Sequence, residues 1–410
     1  MAEVVCPYCF KTFKQKEVMF RCKNSTCPGI DDDEILMKHW EQYKIQVPKK
    51  SPAIRPRTSF FSGTPKEATC PSCKQETYWM ICPHCHNRID NEMVLNPGKI
   101  ISIVGSRNSG KTVYITALIE QLKRYGHKMG QLGIMESTVA DDRDAITSIR
   151  FKKDFLTPLF KEGQCPDGTK VMDKYREVPL IYTINQAGRP PLHLVLYDTA
   201  GENFKEGNEA NIQNNLRFLS KSDAVIFLFD ITNIPDILEK LVECGLNFEE
   251  AEHDVQQVVA SLSNQKEIKE RLLNIPKAVV FNKIDLYLDY LTESMGEISD
   301  LRKGVNSSFI DGHGINMDVI DGASDALQKA LIDGMWGSEG AQLWINFPKK
   351  AKSDKDTDPL VHLFGVSALG KNPVDRQVLD AQGKPDVKPY RVLDPLVWIL
   401  YKLGYKLNMQ

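Results

Sequence analysis

Long hydrophobic runs are missing from this sequence. The longest apolar stretches, 224–229 and 395–401, are the size of core elements. A membrane helix needs about 18 apolar residues or more, so no transmembrane segment is expected. A charge excess of either sign is also missing: 52 Lys and Arg stand against 54 Asp and Glu, a net charge of −2. That balance excludes a global nucleic-acid polycation and an acidic disordered tail. The N-terminus lacks the basic and apolar regions of a secretory signal, because Cys6 falls where they would lie. The expected location is therefore the cytoplasm. Cysteine is scarce after residue 85, where only Cys165 and Cys244 occur; the other eight crowd into the first 85 residues. Disulfides are unusual in a reducing compartment, so closely spaced cysteines read as metal ligands. At roughly 100–200 residues per domain, the 410 residues suffice for several domains.

The eight cysteines form four pairs: Cys6 with Cys9, Cys22 with Cys27, Cys70 with Cys73, and Cys82 with Cys85. A thiolate pair on a tight turn directs both sulfurs at one ion, and two such turns complete a tetrahedral four-sulfur zinc site. His84 and His86 lie beside Cys85, but four thiolates per site are already available. Pairing by sequence neighbours predicts two zinc ribbons, at 1–43 and 67–96, and two zinc ions. An interleaved alternative joins the first pair to the third. Against it stands the stretch 44–66, with six basic residues (Lys44, Lys49, Lys50, Arg55, Arg57, Lys66), no acidic ones, and prolines at 48, 52, 56 and 65. This is the composition of a tether. With Phe60 and Phe61 it also reads as a surface for RNA or an acidic protein.

From 97 onward the pattern changes. An apolar strand-like run, 99–104, leads into Gly105-Ser-Arg-Asn-Ser-Gly-Lys-Thr112, and 113–125 reads as a helix. Strand, glycine-rich loop and helix in this order predict a phosphate-binding loop. The glycines let the backbone curl so that its amides and the positive helix end face an anion. Gly105, Asn108, Ser109 and Gly110 form the loop, Lys111 reaches the outer phosphates, and the Thr112 hydroxyl holds Mg²⁺.

Three later motifs specify the nucleotide. The strand 192–197 ends in Asp198-Thr-Ala-Gly201, with Asp198 placed for Mg²⁺ and the Gly201 amide for the terminal phosphate. The strand 278–281 ends in Asn282-Lys-Ile-Asp285. The Asp285 carboxylate can accept from both guanine donors, which adenine lacks, and Lys283 can lie over the base. The strand 361–366 leads to Ser367-Ala-Leu-Gly370, where the backbone of Ser367 and Ala368 can meet the guanine oxygen.

With these motifs, residues 97–410 resemble the translation-factor-related, Ras-like class of P-loop GTPases. The resemblance implies an α/β three-layer sandwich with a mostly parallel sheet and one antiparallel edge strand, here 179–186. It also implies a strand at 222–229 and a closing helix at 394–406. The domain is enlarged by insertions near 127–178 and 286–359, and 241–273 reads as an extended helix. Cysteine cassettes ahead of the loop, with the Asp394-Pro-Leu-Val-Trp398 segment, look most like the bacterial double-GTPase family of predicted conflict and defence systems.

That class uses a threonine before the edge strand to complete the Mg²⁺ shell. Thr138, Thr157, Thr169 and Thr183 lie in range, and Thr169 in its Gly-containing loop is best placed. After Gly201 comes Glu202, where many Ras-like enzymes have glutamine to position water. A carboxylate can orient water, but its charge opposes the phosphate, so hydrolysis is expected to be slow or partner-activated. Asn108 resembles the loop asparagine of potassium-activated GTPases, implying K⁺; otherwise it is a loop residue accepting a backbone bond. The expectation is a Mg²⁺-dependent switch that hydrolyses GTP to GDP and phosphate and docks a protein partner through its zinc ribbons. A GTP-binding scaffold with little hydrolysis and an RNA- or ribosome-associated GTPase are the alternatives.

Overall fold

The computed structural model describes residues 2–41, 45–56, 63–105, 109–137, 147–166, 179–196, 218–248, 265–296, 298, 301, 313–333, 335–350 and 359–410. Near the N-terminus, a pair of short hairpins presents cysteines in its turns. β1 (Glu3–Val5) pairs with β2 (Thr12–Lys14) around Cys6 and Cys9. β5 (Ala68–Thr69) pairs with β6 (Glu76–Thr77) around Cys70 and Cys73. Between them stands an antiparallel sheet in the order β4 (Ala53–Ile54), β3 (Met19–Arg21), β7 (Trp79–Ile81). Cys22 follows β3 and Cys82 follows β7.

That sheet decides the ligand pairing. Met19 lies opposite Ile81 and Arg21 opposite Trp79, so the exit of β3 meets the entry of β7. Cys22 and Cys27 are therefore delivered to Cys70 and Cys73, and Cys82 and Cys85 to Cys6 and Cys9. Both sequence-based pairings are corrected: ligands are drawn neither from neighbours nor from first and third pairs, but nested. The tether reading of 44–66 is corrected too. Its Lys50 exchanges backbone bonds of 2.9 and 3.0 Å with Asp31, and β4 pairs with β3. Residues 57–62, with Phe60 and Phe61, lie outside the described residues. One apolar core spans both halves, joining Val4, Phe13, Phe20 and Trp40 to Ile54, Met80, Ile89 and Val94.

The chain that follows is built on seven strands in the order β14–β13–β12–β8–β11–β10–β9. They are β8 (Lys99–Gly105), β9 (Gly133–Glu136), β10 (Leu180–Asn185), β11 (Leu192–Leu196), β12 (Ala224–Asp230), β13 (Lys277–Asn282) and β14 (Val361–Gly365). β14, β13, β12, β8 and β11 pair in parallel, and β10 runs antiparallel to β11. The mostly parallel sheet and its single reversed strand are those expected. The structure adds β9 outside β10, antiparallel to it, from within the 127–178 insertion.

The parallel strands are apolar throughout because helices cover both faces. Alternate residues serve opposite cores. Ile101, Ile103, Ile226, Leu228 and Val280 face the helices Lys111–Tyr125 and Asp394–Lys402. Val225, Phe227, Phe229, Val279 and Phe281 face the helices Pro235–Glu243, Lys266–Leu272 and Met317–Ile332. The extended helix read over 241–273 is not formed: the helix ends at Glu243 and the chain turns at Gly245, φ 85°. Among the described residues no helix is long and apolar enough to cross a membrane.

Candidate functional site

The carboxyl ends of the parallel strands gather the described motif residues on one edge, the edge at which open α/β sheets bind ligands. β8 ends at Gly105 and the helix Lys111–Tyr125 begins at Lys111. Gly110 precedes the helix at φ 70°, and a Cβ there would stand 2.7 Å from Asn282 Nδ2. A Cβ on Gly105 would stand 2.6 Å from Ser109 Oγ. Gly110 is required for its backbone angle, and a side chain at either position would displace Ser109 or Asn282. Lys111 is buried at the first helical position, and Thr112 is half-buried beside it.

Asn282 ties the Asn282–Asp285 motif to the glycine-rich loop. From the end of β13 its Nδ2 donates to the Ser109 carbonyl at 2.9 Å. Among the described residues, the buried Ser109 Oγ and Asn282 Oδ1 have no hydrogen-bond partner. Unsatisfied buried polar atoms are costly, and here they sit around a glycine cradle, as a polar ligand's site requires. Lys283 takes a left-handed backbone, φ 61°, and its Nζ pairs with the buried Asp230 carboxylate at the end of β12. Asp230 was not singled out from the sequence; a charge closing the run Ala-Val-Ile-Phe-Leu-Phe is the signal that could have found it.

Asp285 is 4% exposed. Burial pushes its carboxyl above the usual range, against the pull of a hydrogen bond with Ser367. The Ser367 loop is held from two sides: Ser367 Oγ accepts from the Gly370 amide at 2.8 Å, and Ser367 and Tyr390 exchange backbone bonds of 3.1 and 3.0 Å. Ala368 is buried next to it. Asn282, Lys283, Asp285, Ser367 and Ala368 thus line up with Gly105, Ser109, Gly110, Lys111 and Thr112 along one edge. Asn108, Thr169, Asp198, Gly201 and Glu202 lie outside the described residues, as does Thr138. Thr183 is inside β10, where its hydroxyl bonds His193 Nδ1 at 3.1 Å.

The cysteines form two tetrads. Cys6, Cys9, Cys82 and Cys85 make the outer one, and Cys22, Cys27, Cys70 and Cys73 the inner one, each with its sulfurs within 4.8 Å of one another. Sulfur pairs stand 3.7 Å (Cys6–Cys85), 3.8 Å (Cys9–Cys82), 3.5 Å (Cys22–Cys73) and 3.8 Å (Cys27–Cys70) apart. Zinc–sulfur bonds of about 2.3 Å in a tetrahedron give edges of about 3.8 Å, so both tetrads fit a zinc ion. Burial pushes the Cys22 thiol up to about 12, and raises Cys6 and Cys85 as well. A hydrogen bond from the Gln75 backbone brings Cys73 down to about 7. Buried sulfurs that resist ionising need a cation before all four can be thiolates.

Neither neighbouring histidine joins a tetrad. His84 Nε2 bonds the Thr12 carbonyl at 3.1 Å, and His86 Nδ1 faces Asp33 at 2.9 Å. Asp33 also takes Arg21 at 2.7 Å, and Arg21 donates to the carbonyls of Ser51 and His86 at 3.0 Å. Burial pushes the Asp33 carboxyl up, but hydrogen bonds from His86, the Leu36 amide and Arg21 outweigh it and hold it well below the usual range. Trp40 Nε1 donates to Asn87 Oδ1 at 2.8 Å, and Asn87 Nδ2 to Cys85 Sγ at 3.3 Å, so the helix Glu34–Glu41 supports the outer tetrad. No motif or spacing in the sequence points to this support.

The family profile Double-GTPase 2 matches residues 99–328. A curated Mycolicibacterium smegmatis protein, the candidate ESX-1 scaffolding and assembly protein SaeC, is 24% identical over 337 residues, 79% of this chain and 80% of that one. The GTP-bound GTPase-like domain of S. cerevisiae Ski7 aligns at 12% identity and a TM-score of 0.30, over 78% of this chain and 53% of that one. The same domain with GDP and inorganic phosphate aligns at 12% identity and 0.27, over 68% and 46%. The chain spans about half the length of those solved chains.

Proposed function

Because this chain belongs to the Double-GTPase 2 family, we propose that it is a Mg²⁺-dependent GTP switch whose N-terminal zinc module docks a protein partner. The observation that carries the reading is the bond from Asn282 Nδ2 to the Ser109 carbonyl, which joins a guanine-type motif to a phosphate-type loop. In this reading the Asp285 carboxylate accepts from guanine's ring N–H and exocyclic amine. Those two donors offset the burial that raises its pKa. Lys283, steadied by Asp230, lies along the base, and the Ser367–Ala368 backbone faces the guanine oxygen.

Lys111 and the loop amides neutralise the outer phosphates. Thr112 and Asp198, with Thr169 completing the shell, would hold Mg²⁺, which supplies charge neutralisation at the phosphates. Hydrolysis adds a water oxygen to the γ-phosphorus and breaks the bond to the β–γ bridging oxygen. Glu202 orients that water poorly because its charge opposes the phosphate, so turnover is slow unless Asn108 places K⁺ or a partner supplies a cation. The eight cysteines hold two zinc ions as folding ligands.

A second reading is favoured by the similarity to a protein named for scaffolding and assembly: GTP binding organises a complex and hydrolysis is negligible. A place in a bacterial defence system rests on family resemblance alone. Single-turnover hydrolysis with excess protein, with K⁺ or Na⁺, separates switch from scaffold. Measurable conversion of bound GTP supports the switch. No conversion, even with a partner captured on the GTP-loaded chain, supports the scaffold. Equal affinity for ATP and GTP removes both.

A further inference from the structure

One aromatic side chain joins the outer cysteine tetrad to the nucleotide core. Phe10 follows Cys9 directly, in a left-handed conformation with φ 56°, and its amide donates to the Cys6 carbonyl at 3.0 Å. The turn that closes this cysteine pair therefore also sets the position of the Phe10 ring. The ring packs against Ile100 and Val195. It meets the Phe218 ring with centroids 5.7 Å apart and planes tilted by 48°.

Each of these three partners leads into the nucleotide site. Ile100 is on β8, whose last residue is Gly105, about 17 Å further along an extended strand. Val195 is on β11, three residues before Asp198. Phe218 precedes the turn Leu219–Lys221, and the adjoining Ser222 Oγ bonds Ser102 Oγ of β8 at 2.7 Å. The attachment extends beyond Phe10. Ile181 of β10 lies in the core of the cysteine module. Within the module, Gln15 Nε2 donates to the carbonyls of Val94 and Leu95 at 2.9 and 3.1 Å, which fixes the segment that leads into β8. The module is thus seated on the roots of the strands that carry the phosphate loop and Asp198.

We propose that the outer tetrad is an allosteric metal site: zinc on Cys6, Cys9, Cys82 and Cys85 and guanine nucleotide on the core bind with coupled affinities, and Phe10 carries the coupling. The proposal rests on the GTP-binding reading above. Placing an ion fixes the Cys6–Phe10 turn, and hence the ring against Ile100, Val195 and Phe218. Coupling between two ligands is reciprocal, so a nucleotide that alters this contact alters zinc affinity by the same factor.

The test uses the full-length, zinc-loaded protein and a chromophoric chelator. Zinc affinity is read by chelator competition without nucleotide, with GDP and with a non-hydrolysable GTP analogue. One of the two zinc ions should change affinity by about 5- to 150-fold between these states, the usual range of allosteric coupling, and the other should not. The responsive ion should be the one lost in Cys9→Ser. Phe10→Ala should keep both ions and GTP binding while removing the difference, and Phe10→Leu should keep some of it. If Phe10→Ala loses the metal outright, Phe218→Leu alters the far side of the same contact and should shrink the difference. Zinc affinity indifferent to nucleotide, in a protein shown to bind GTP, overturns this proposal alone. So does full coupling in Phe10→Ala or Phe218→Leu. Absence of GTP binding overturns the parent reading and this one with it.

Discussion

Asp285→Asn is the sharpest test of nucleotide choice. The carboxylate is 4% exposed, and burial raises its pKa against the pull of Ser367. It is thus a desolvated acceptor awaiting two donors. Guanine supplies both; an asparagine, with one acceptor and one donor, can satisfy only one and sets its own N–H₂ against the exocyclic amine. Losing a charge-assisted pair should cost about 2–4 kcal/mol, or roughly 30- to 1000-fold in GTP affinity. The sign of the effect on the free protein is opposite. An acid whose folded pKa is raised contributes stability only at low pH and loses it as pH rises through the folded value. At neutral pH its ionised form is a burden, so Asp285→Asn should melt no earlier than wild type without nucleotide, while the GTP-induced rise in melting temperature shrinks. Xanthine carries an oxygen where guanine carries its amine. The asparagine amide can donate to that oxygen while its carbonyl accepts from the ring N–H, so XTP should gain affinity. Titrations of fluorescent GTP, XTP and ATP analogues measure all three. Unchanged GTP affinity, or an equal loss for every nucleotide, would refute the placement of Asp285 at the base.

The nested cysteines predict two zinc ions per chain. They also predict that cutting an inserted protease site after residue 60 leaves both fragments and both ions together, because each tetrad takes ligands from either side; separation on a sizing column would return the pairing to neighbours. Lys111→Ala should weaken GTP by about 30- to 150-fold, the value of one buried charge-assisted contact of roughly 2–3 kcal/mol, with the fold unchanged by circular dichroism. Replacing Na⁺ by K⁺ at fixed ionic strength should raise turnover, and Asn108→Ala should abolish the response while GTP affinity stays; a rate indifferent to the ion leaves Asn108 an ordinary loop residue. Asp33→Asn should destabilise the cysteine module by about 3–5 kcal/mol in urea melts, since Arg21 then keeps a buried charge without its anion. The depressed pKa of Asp33 makes that contribution present at neutral pH and lost only as pH falls below the usual carboxylate range, so the gap between wild type and variant should close only in strong acid.

Motifs with fixed chemistry at strand ends were legible in the sequence. Gly105, Gly110, Asn282 and Asp285 fall where strand termini meet, and the runs before them are apolar throughout because both faces are covered. Partner choice among the cysteine pairs was not legible. A close pair fixes which two sulfurs share an ion and says nothing about the other two. That was decided by the antiparallel register of Met19 with Ile81, on strands of three residues with no length for a periodic pattern. β9 escaped notice for a related reason: Gly-Ile-Met-Glu is only half-covered, so its composition resembles a loop. The break near Gly245 was hidden because the helical pattern resumes in Lys266–Leu272 on another helix.

Nesting also imposes an order of assembly. The inner tetrad closes loops of 43 and 51 residues, and the outer one loops of 73 and 79. With the inner ion in place, only roughly 22 residues of free chain separate the outer pairs, and loop-closure entropy falls by about 1 kcal/mol. On the ribosome, side-by-side ribbons would let the first site close once Cys27 had emerged. Here four thiols wait for Cys70, which at typical elongation rates takes about 2–9 s. During that interval the nascent chain carries reactive sulfur with no partner in sight. If zinc fills the tetrads as proposed, its supply at the moment of synthesis bears on whether this molecule is made correctly, before any nucleotide is involved.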